Sequence, residues 1–241
     1  MSDLFSRYPQ LNSLRKLLPD SVIEDEICAS SVEYERCRGI AQEKINTVSL
    51  RDIFSEELER GSIILENFLG HWGNISIESL TKICLIIRFL KPKRILEFGT
   101  FNGVTTLQMA INAPKDCTIY TIDLAPGMIT HFPLSKIDTY VSDVFPKHFG
   151  TSVGSAFSTR KEFNIKQLYA DSATFDFSTL GGSFDLIFID GAHDYETKKS
   201  DSENAFHYLA PGGVILWDNL YDVVCPDVTR YVSELAGSKK V

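Results

Sequence analysis

Two patterns of apolar and polar positions divide the chain near residue 92. Before that point, apolar residues recur at mixed three- and four-residue spacing over 31–44 and 49–69, as amphipathic helices require. Ser49 to Asp52 reads as a helix start and Gly70 as its end. Residues 76–90 predict one more helix, opened at Ser76 and stopped before Pro92. Beyond it, short apolar runs alternate with helical stretches. Strands are predicted over 94–98, 118–123, 165–170, 185–190 and 213–217. They are apolar on both faces, as strands covered by helices on each side must be. Helices are predicted between them over 104–112, 172–180 and 194–209, and after them over 227–236. The alternation predicts an α/β fold: a doubly wound, mainly parallel sheet with right-handed crossovers and helices on both faces. Residues 1–75 form a helical N-terminal cap on this reading, and 76–241 the main domain. Residues 124–164 exceed the usual loop of ~2–6 residues. They read as an insertion over the mouth of the site, part helix and part mobile loop; a surface elaboration without a role is the alternative.

In sheets of this kind ligands sit beyond the carboxyl ends of the strands, where strand order reverses. The predicted strands end at Glu97-Phe98-Gly99, Asp123, Asp171-Ser172, Asp190 and Asp218-Asn219. Nearly every strand ends in an acid, which a purely structural sheet does not need. Charge and cysteine usage then narrow the setting. Lys and Arg number 24 against 32 Asp and Glu, a net charge of −8. Without basic clusters such a chain is a poor binder of nucleic acid. No apolar stretch approaches the ~18 residues of a membrane span, and the N-terminus lacks the pattern of a secretory signal. Five scattered cysteines without a CxxC pair read as free thiols in a reducing compartment, hence the cytoplasm.

The strongest local signal is residues 94–110, RILEFGTFNGVTTLQMA. A strand ends in Glu97, a turn holds Gly99 and Gly103, and a helix follows. Gly99 lets the backbone pass close to a ligand, and Gly103 permits tight helix entry. The spacing differs from the G-x-G-x-x-G of dinucleotide binders, and an acid ahead of the turn suits a cationic ligand. Asp123, 20 residues after Gly103, suits the hydroxyl pair of a ribose; a helix cap or turn is the alternative.

These residues resemble the class I S-adenosylmethionine-dependent methyltransferases, whose fold is Rossmann-like. LEFGTFNG looks like their first motif and YTIDL like their second. The segment FDLIFIDGAHDYETKKSDSENAFHYLAPGGVILWDN looks like the small-molecule O-methyltransferase branch, particularly a bacterial group with an IDG-x-H-x-Y-E signature. The resemblance covers roughly residues 72–235. It implies that Glu97, Gly99, Thr100, Asn102 and Gly103 line the methionine part of S-adenosylmethionine (SAM). Asp123 would hold the ribose, Asp171 and Ser172 the adenine edge, and Asp190 would border the cofactor. The catechol and caffeoyl-CoA enzymes place Asp, Asp and Asn at strand ends to hold a divalent cation, and Asp190, Asp218 and Asn219 match those positions. The resemblance therefore implies Mg²⁺, with a turn or cap as the alternative for Asp218-Asn219. The catechol enzymes carry a lysine base where this chain has His193, and a neutral imidazole can take a proton near pH 7.

The expected reaction is methyl transfer to a hydroxyl of a small, sugar-like or natural-product molecule, with His193 as base. Glu97 and Asp123 are expected to face one crevice and grip opposite ends of the cofactor. Tyr195-Glu196 is expected to orient His193 or to start a helix, Asp201 and Glu203 to form a solvated face, and residues 211–213 to turn into the last strand. His71, His131, His148 and His207 have no evident partner; Trp72 and Asn74 lie close before the cofactor domain. A homo-oligomer through the N-terminal helices is a further expectation. The chain ends soon after residue 236, without the closing strand hairpin usual in the family. Either the sheet is shorter here, or those strands come from elsewhere, or the chain is truncated. A SAM-binding assembly protein without catalysis and a nicotinamide-dependent oxidoreductase are the rival readings; the latter lacks its glycine motif.

Overall fold

Ser76 accepts a hydrogen bond from the Ser79 amide at the start of the helix Ile77–Leu90, and Lys91 ends it in a left-handed conformation. The structure, a computed structural model, describes residues 6–7, 28–45, 48–54, 61–68, 73–144, 147 and 150–238. Helices α1 (Cys28–Lys44) and α2 (Leu50–Phe54) precede this helix, α3. Then come β1 (Arg94–Phe98), α4 (Val104–Asn112), β2 (Thr118–Asp123), α5 (Lys136–Asp143) and β3 (Asn164–Tyr169). A short 3-10 turn (Phe177–Leu180), β4 (Phe184–Ile189), α6 (Tyr195–Tyr208), β5 (Leu209–Trp217) and α7 (Pro226–Gly237) complete the described residues.

All pairings are parallel, in the order β3-β2-β1-β4-β5. Alternate residues of each central strand face opposite layers. Ile95, Ile119, Leu186 and Phe188 pack under α3 and α4. Leu96, Phe98, Tyr120, Ile122, Ile187 and Ile189 pack under the 3-10 turn and α6. The chain winds outward from β1 to β3 and then returns to lay β4 on the other side of β1, so strand order reverses between β1 and β4. The ladder runs one residue past the strands: the amides of Gly99, Asp190 and Asp218 donate to Ile122, Phe98 and Ile189. Those three residues are thereby fixed at the carboxyl edge.

Three segments depart from the sequence reading. The predicted helix over 49–69 is α2 alone among the described residues, and 61–68 is irregular; Gly70 lies outside them. Residues 172–180 contribute only the 3-10 turn, because the Asp171 carboxylate accepts the Ala173 amide and turns the chain first. Residues 211–213 lie within β5, at a register irregularity, and do not precede it.

Candidate functional site

Gly99 adopts φ +88°, and a Cβ there would stand 2.2 Å from the Asp190 carbonyl oxygen. Only glycine lets the β1 turn cross the end of β4 so closely. The crossing floors an open cleft at the carboxyl edge of the sheet. Gly99, Asp123, Asp171 and Ser172 line it, as expected from the sequence. So do Gly191, Ala192 and Asp201 from the β4–α6 side, and Thr130, Phe132 and Leu134 from the 124–164 segment.

Other expected cofactor residues are committed elsewhere. Glu97 does not line the cleft. Its side chain is buried on the α4 face, where one oxygen accepts from the Thr106 hydroxyl at 2.5 Å and the Thr121 hydroxyl also bears on the carboxyl. Burial pushes its carboxyl up to about 8. Thr100 bonds Thr121 and Gln167 through its hydroxyl, and Asn102 accepts the Val104 amide. Gly103 caps α4 under the Phe157 ring, 2.6 Å from where a Cβ would stand. Amides of Gly154 and Ala156 close over the same turn, onto the carbonyls of Phe101 and Asn102. Asp123 is the acid that the cleft retains. Its Oδ2 accepts the amides of Thr100 and Phe101, and its Oδ1 that of Leu124. Burial raises its pKa although these amides draw it down. A carboxylate offers about four acceptor positions, so one remains.

Beside the cleft lies a second constellation. His193 Nδ1 is 2.7 Å from Asp138 Oδ1, and its Nε2 is 2.9 Å from Asn219 Oδ1. The His193 amide and the Ser135 hydroxyl both donate to Asp138 Oδ2. Both ring nitrogens face acceptors, the arrangement that suits an imidazolium. Burial draws the His193 pKa down, but the charge and hydrogen bond of Asp138 outweigh it and leave the ring raised. Asp138 answers in kind: burial raises it, and His193 brings it below the usual carboxylate range. Asp138 sits on α5, inside the 124–164 segment, and the sequence reading missed it. The orienting group is Asp138 and not Tyr195-Glu196: Tyr195 opens α6 behind the Asp194 cap and bonds Glu234. His131 meets the site through its backbone, whose amide donates to Asp171 Oδ2. Asn74 has a buried amide nitrogen without a partner; Trp72, His71 and His148 lie outside the described residues.

Asp190 and Asp218 stand at adjacent strand ends. Burial raises both, and the charge of Asp218 raises Asp190 further, while Lys198 draws both down. Asn219, the third residue expected to hold a divalent cation, is already engaged. Asn219 Oδ1 is held on His193, and its Nδ2 donates to Asp222. Among the described residues no three His, Cys, Asp or Glu side chains converge as a metal site. Asp201 is not on a solvated face: it is wholly buried, and burial pushes its carboxyl up to about 7.

A five-stranded parallel sheet with a cleft at its reversal point defines a nucleotide-type Rossmann-like fold. Residues 96–220 match the family described as a methyltransferase domain, and the chain belongs to that family. Catechol O-methyltransferase B of Danio rerio is 22% identical over 178 residues, 73% of this chain and 60% of that protein. Catechol O-methyltransferase of Mycobacterium tuberculosis is 25% identical over 138 residues, 57% of this chain and 53% of that protein. The chain thus spans about half to three-fifths of these relatives. Two solved structures share the fold with TM-scores of 0.51. They are the SAH-bound methyltransferase PaMTH1 of Podospora anserina, at 20% identity over 80% of this chain and 86% of that one, and the SAM complex of the O-methyltransferase TomG of Streptomyces achromogenes, at 17% over 79% and 88%.

Proposed function

We propose that the chain transfers a methyl group from SAM to a hydroxyl oxygen of a small molecule, with His193 as base. The carrying observation is the Asp138–His193–Asn219 chain, set beside a cleft that keeps Asp123 at one end. SAM, when bound, supplies a sulfonium-activated methyl. The chain's own residues bind, align and take the proton. Asp123 retains one acceptor position for a ribose hydroxyl, and the apolar walls suit a flat base. Alignment in a closed site can supply several kcal/mol, up to ~7–11 in the best intramolecular cases. A base adds about 10²–10⁴-fold. Asp138 raises the pKa of His193, and the ring accepts a substrate proton only once it has lost its own, so turnover rises with pH.

The reading takes residues 1–75 as a helical cap, 76–241 as the SAM-binding domain and 124–164 as a cover over the site. Contributions of Thr130, Phe132, Leu134 and Asp138 to the cleft and its neighbour support the last point. It needs no metal step, and no membrane or nucleic-acid partner. Among the described residues no helix is long and apolar enough to cross a membrane. Four buried free thiols (Cys37, Cys84, Cys117, Cys225) agree with a cytoplasmic setting. Exposed Ile40 and Ile53 on α1 and α2 offer apolar surface for a homo-oligomer.

Calorimetry with SAM and its product S-adenosylhomocysteine (SAH), with and without Mg²⁺, tests the reading. Binding of either nucleoside independent of Mg²⁺ is expected; binding of NAD in their place would overturn it. In a screen of small polyols, glycosides and phenols, His193→Ala should keep SAH affinity within about threefold and lose about 100-fold or more in turnover. Unchanged turnover removes His193 from the mechanism.

A further inference from the structure

We infer that a groove on the outermost strand of the sheet is a second small-molecule site, and that it takes an aromatic acid. β3 pairs only with β2 and so forms one edge of the sheet. Ile165, Gln167 and Tyr169 alternate onto one face of that strand. The turns over 153–163 stand across from them, and the groove lies between. It shares no lining residue with the cleft at the carboxyl edge. Its far wall is anchored: the amides of Gly154 and Ala156 donate to the carbonyls of Phe101 and Asn102, and the Phe157 ring packs on Gly103.

Three rings, Phe157, Phe163 and Tyr169, supply much of the wall. Tyr169 is 53% exposed, so a large aromatic surface at the end of β3 is left open. Ring edges and faces of this kind pack favourably against another ring. The charge along the groove is basic, in a chain whose net charge is −8. Arg160 is already committed: it bonds Glu66 and Glu162 and stands 5.0 Å from the centre of the Phe163 ring. Lys161, its exposed neighbour in the wall, has no carboxylate partner among the described residues. Gln167 spends its Nε2 on the Thr100 hydroxyl and the Leu168 carbonyl, and its buried Oε1 has no partner. The chain's own polar groups therefore do not close this groove. A carboxylate answers the Lys161 charge while its ring lies among the three aromatic side chains; an uncharged ring fills the same space and leaves that charge unpaired.

The test titrates the intact chain with 2-naphthoate and with naphthalene-2-carboxamide, its uncharged counterpart, by calorimetry, with and without SAH. Wild type should bind the acid at one site per chain whether or not SAH is present. It should prefer the acid to the amide by about two- to fivefold, the size an exposed ion pair supplies, and the preference should shrink at high salt. Lys161→Gln should bring the ratio to about one. Tyr169→Ala should weaken both ligands by about fivefold or more and leave the ratio as it was. Both positions are exposed, so neither change threatens the fold. Absence of binding, a wild-type ratio near one, or a ratio that Lys161→Gln does not change overturns the inference. Displacement of the acid by SAH overturns it too, because the acid then occupies the cleft. A dimer in sedimentation that Tyr169→Ala dissolves would assign the groove to a second copy of the chain, and is equally contrary.

Discussion

At the scale of single residues, the pair Asp138–His193 decides how the site responds to pH. The His193 pKa is raised because Asp138 outweighs its burial. Removing that charge lowers the ring's pKa. With His193 as base, the rate climbs with pH as the imidazole loses its proton, so Asp138→Asn should move the acid limb of the pH–rate profile to lower pH. Maximal turnover should also fall by about tenfold or more, because Nδ1 no longer meets a carboxylate that fixes the ring. An unmoved acid limb would separate Asp138 from the proton transfer. Asn219 and Tyr221, both at positive φ beyond β5, occupy conformations that non-glycine residues seldom adopt. Such strain is found where the surroundings impose it, and here Asn219 is held by both His193 and Asp222.

At the scale of elements, the segment 61–68 shows why periodicity misled. Its backbone is not helical; it is strapped to α4 by two carboxamides. Gln108 accepts the Glu66 amide at 2.9 Å and donates to its carbonyl at 2.6 Å. Asn112 does the same for Ile64 at 2.9 and 2.8 Å. Positions four apart on a helix lie ~5–6 Å from each other. Positions two apart on an extended chain lie ~6.6 Å apart. The two repeats match closely enough for the side chains to act as a strand's edge. Asn112→Ala would leave both backbone groups of Ile64 without a protein partner. It should cost about 1–3 kcal/mol in urea unfolding, at the lower end because Ile64 reaches solvent. No measurable loss would mean that the strap contributes nothing.

At the scale of the whole molecule, buried acids set the stability curve. Glu97, Asp190, Asp201 and Asp123 all have raised pKa values, and so does His193. Each raised group contributes stability below its unfolded pKa and loses it as pH rises through the folded one. The native chain therefore holds more protons than the unfolded chain between about pH 5 and 8. Asp138, lowered, works the other way, but its gain is complete once pH exceeds ~5, above its unfolded value. Urea midpoints should fall between pH 5.5 and 8, and Glu97→Gln should reduce the fall. A midpoint that rises over that interval would contradict the burial of these carboxyls in ionisable form.

Strand positions were legible because β1, β2 and β4 are buried on both faces, so most of their residues are apolar; β1 and β2 match the expected bounds to the residue. The glycine at 99, the acid at 123 and the histidine at 193 were legible for a related reason: each stands at or just beyond a strand end, where sequence order and position in space coincide. What a side chain meets across the fold follows no such rule. Glu97 turned inward because strand alternation puts it on the α4 face. Asp138 reaches His193 across 55 residues of chain, and Asp201 became a buried wall of the cleft because α6 packs its inner face on β4. Local periodicity thus determined the sheet and the line of acids along its edge. Closure of α5 and α6 over that edge, a long-range packing event with no local signature, decided which of those acids stay free to meet a ligand.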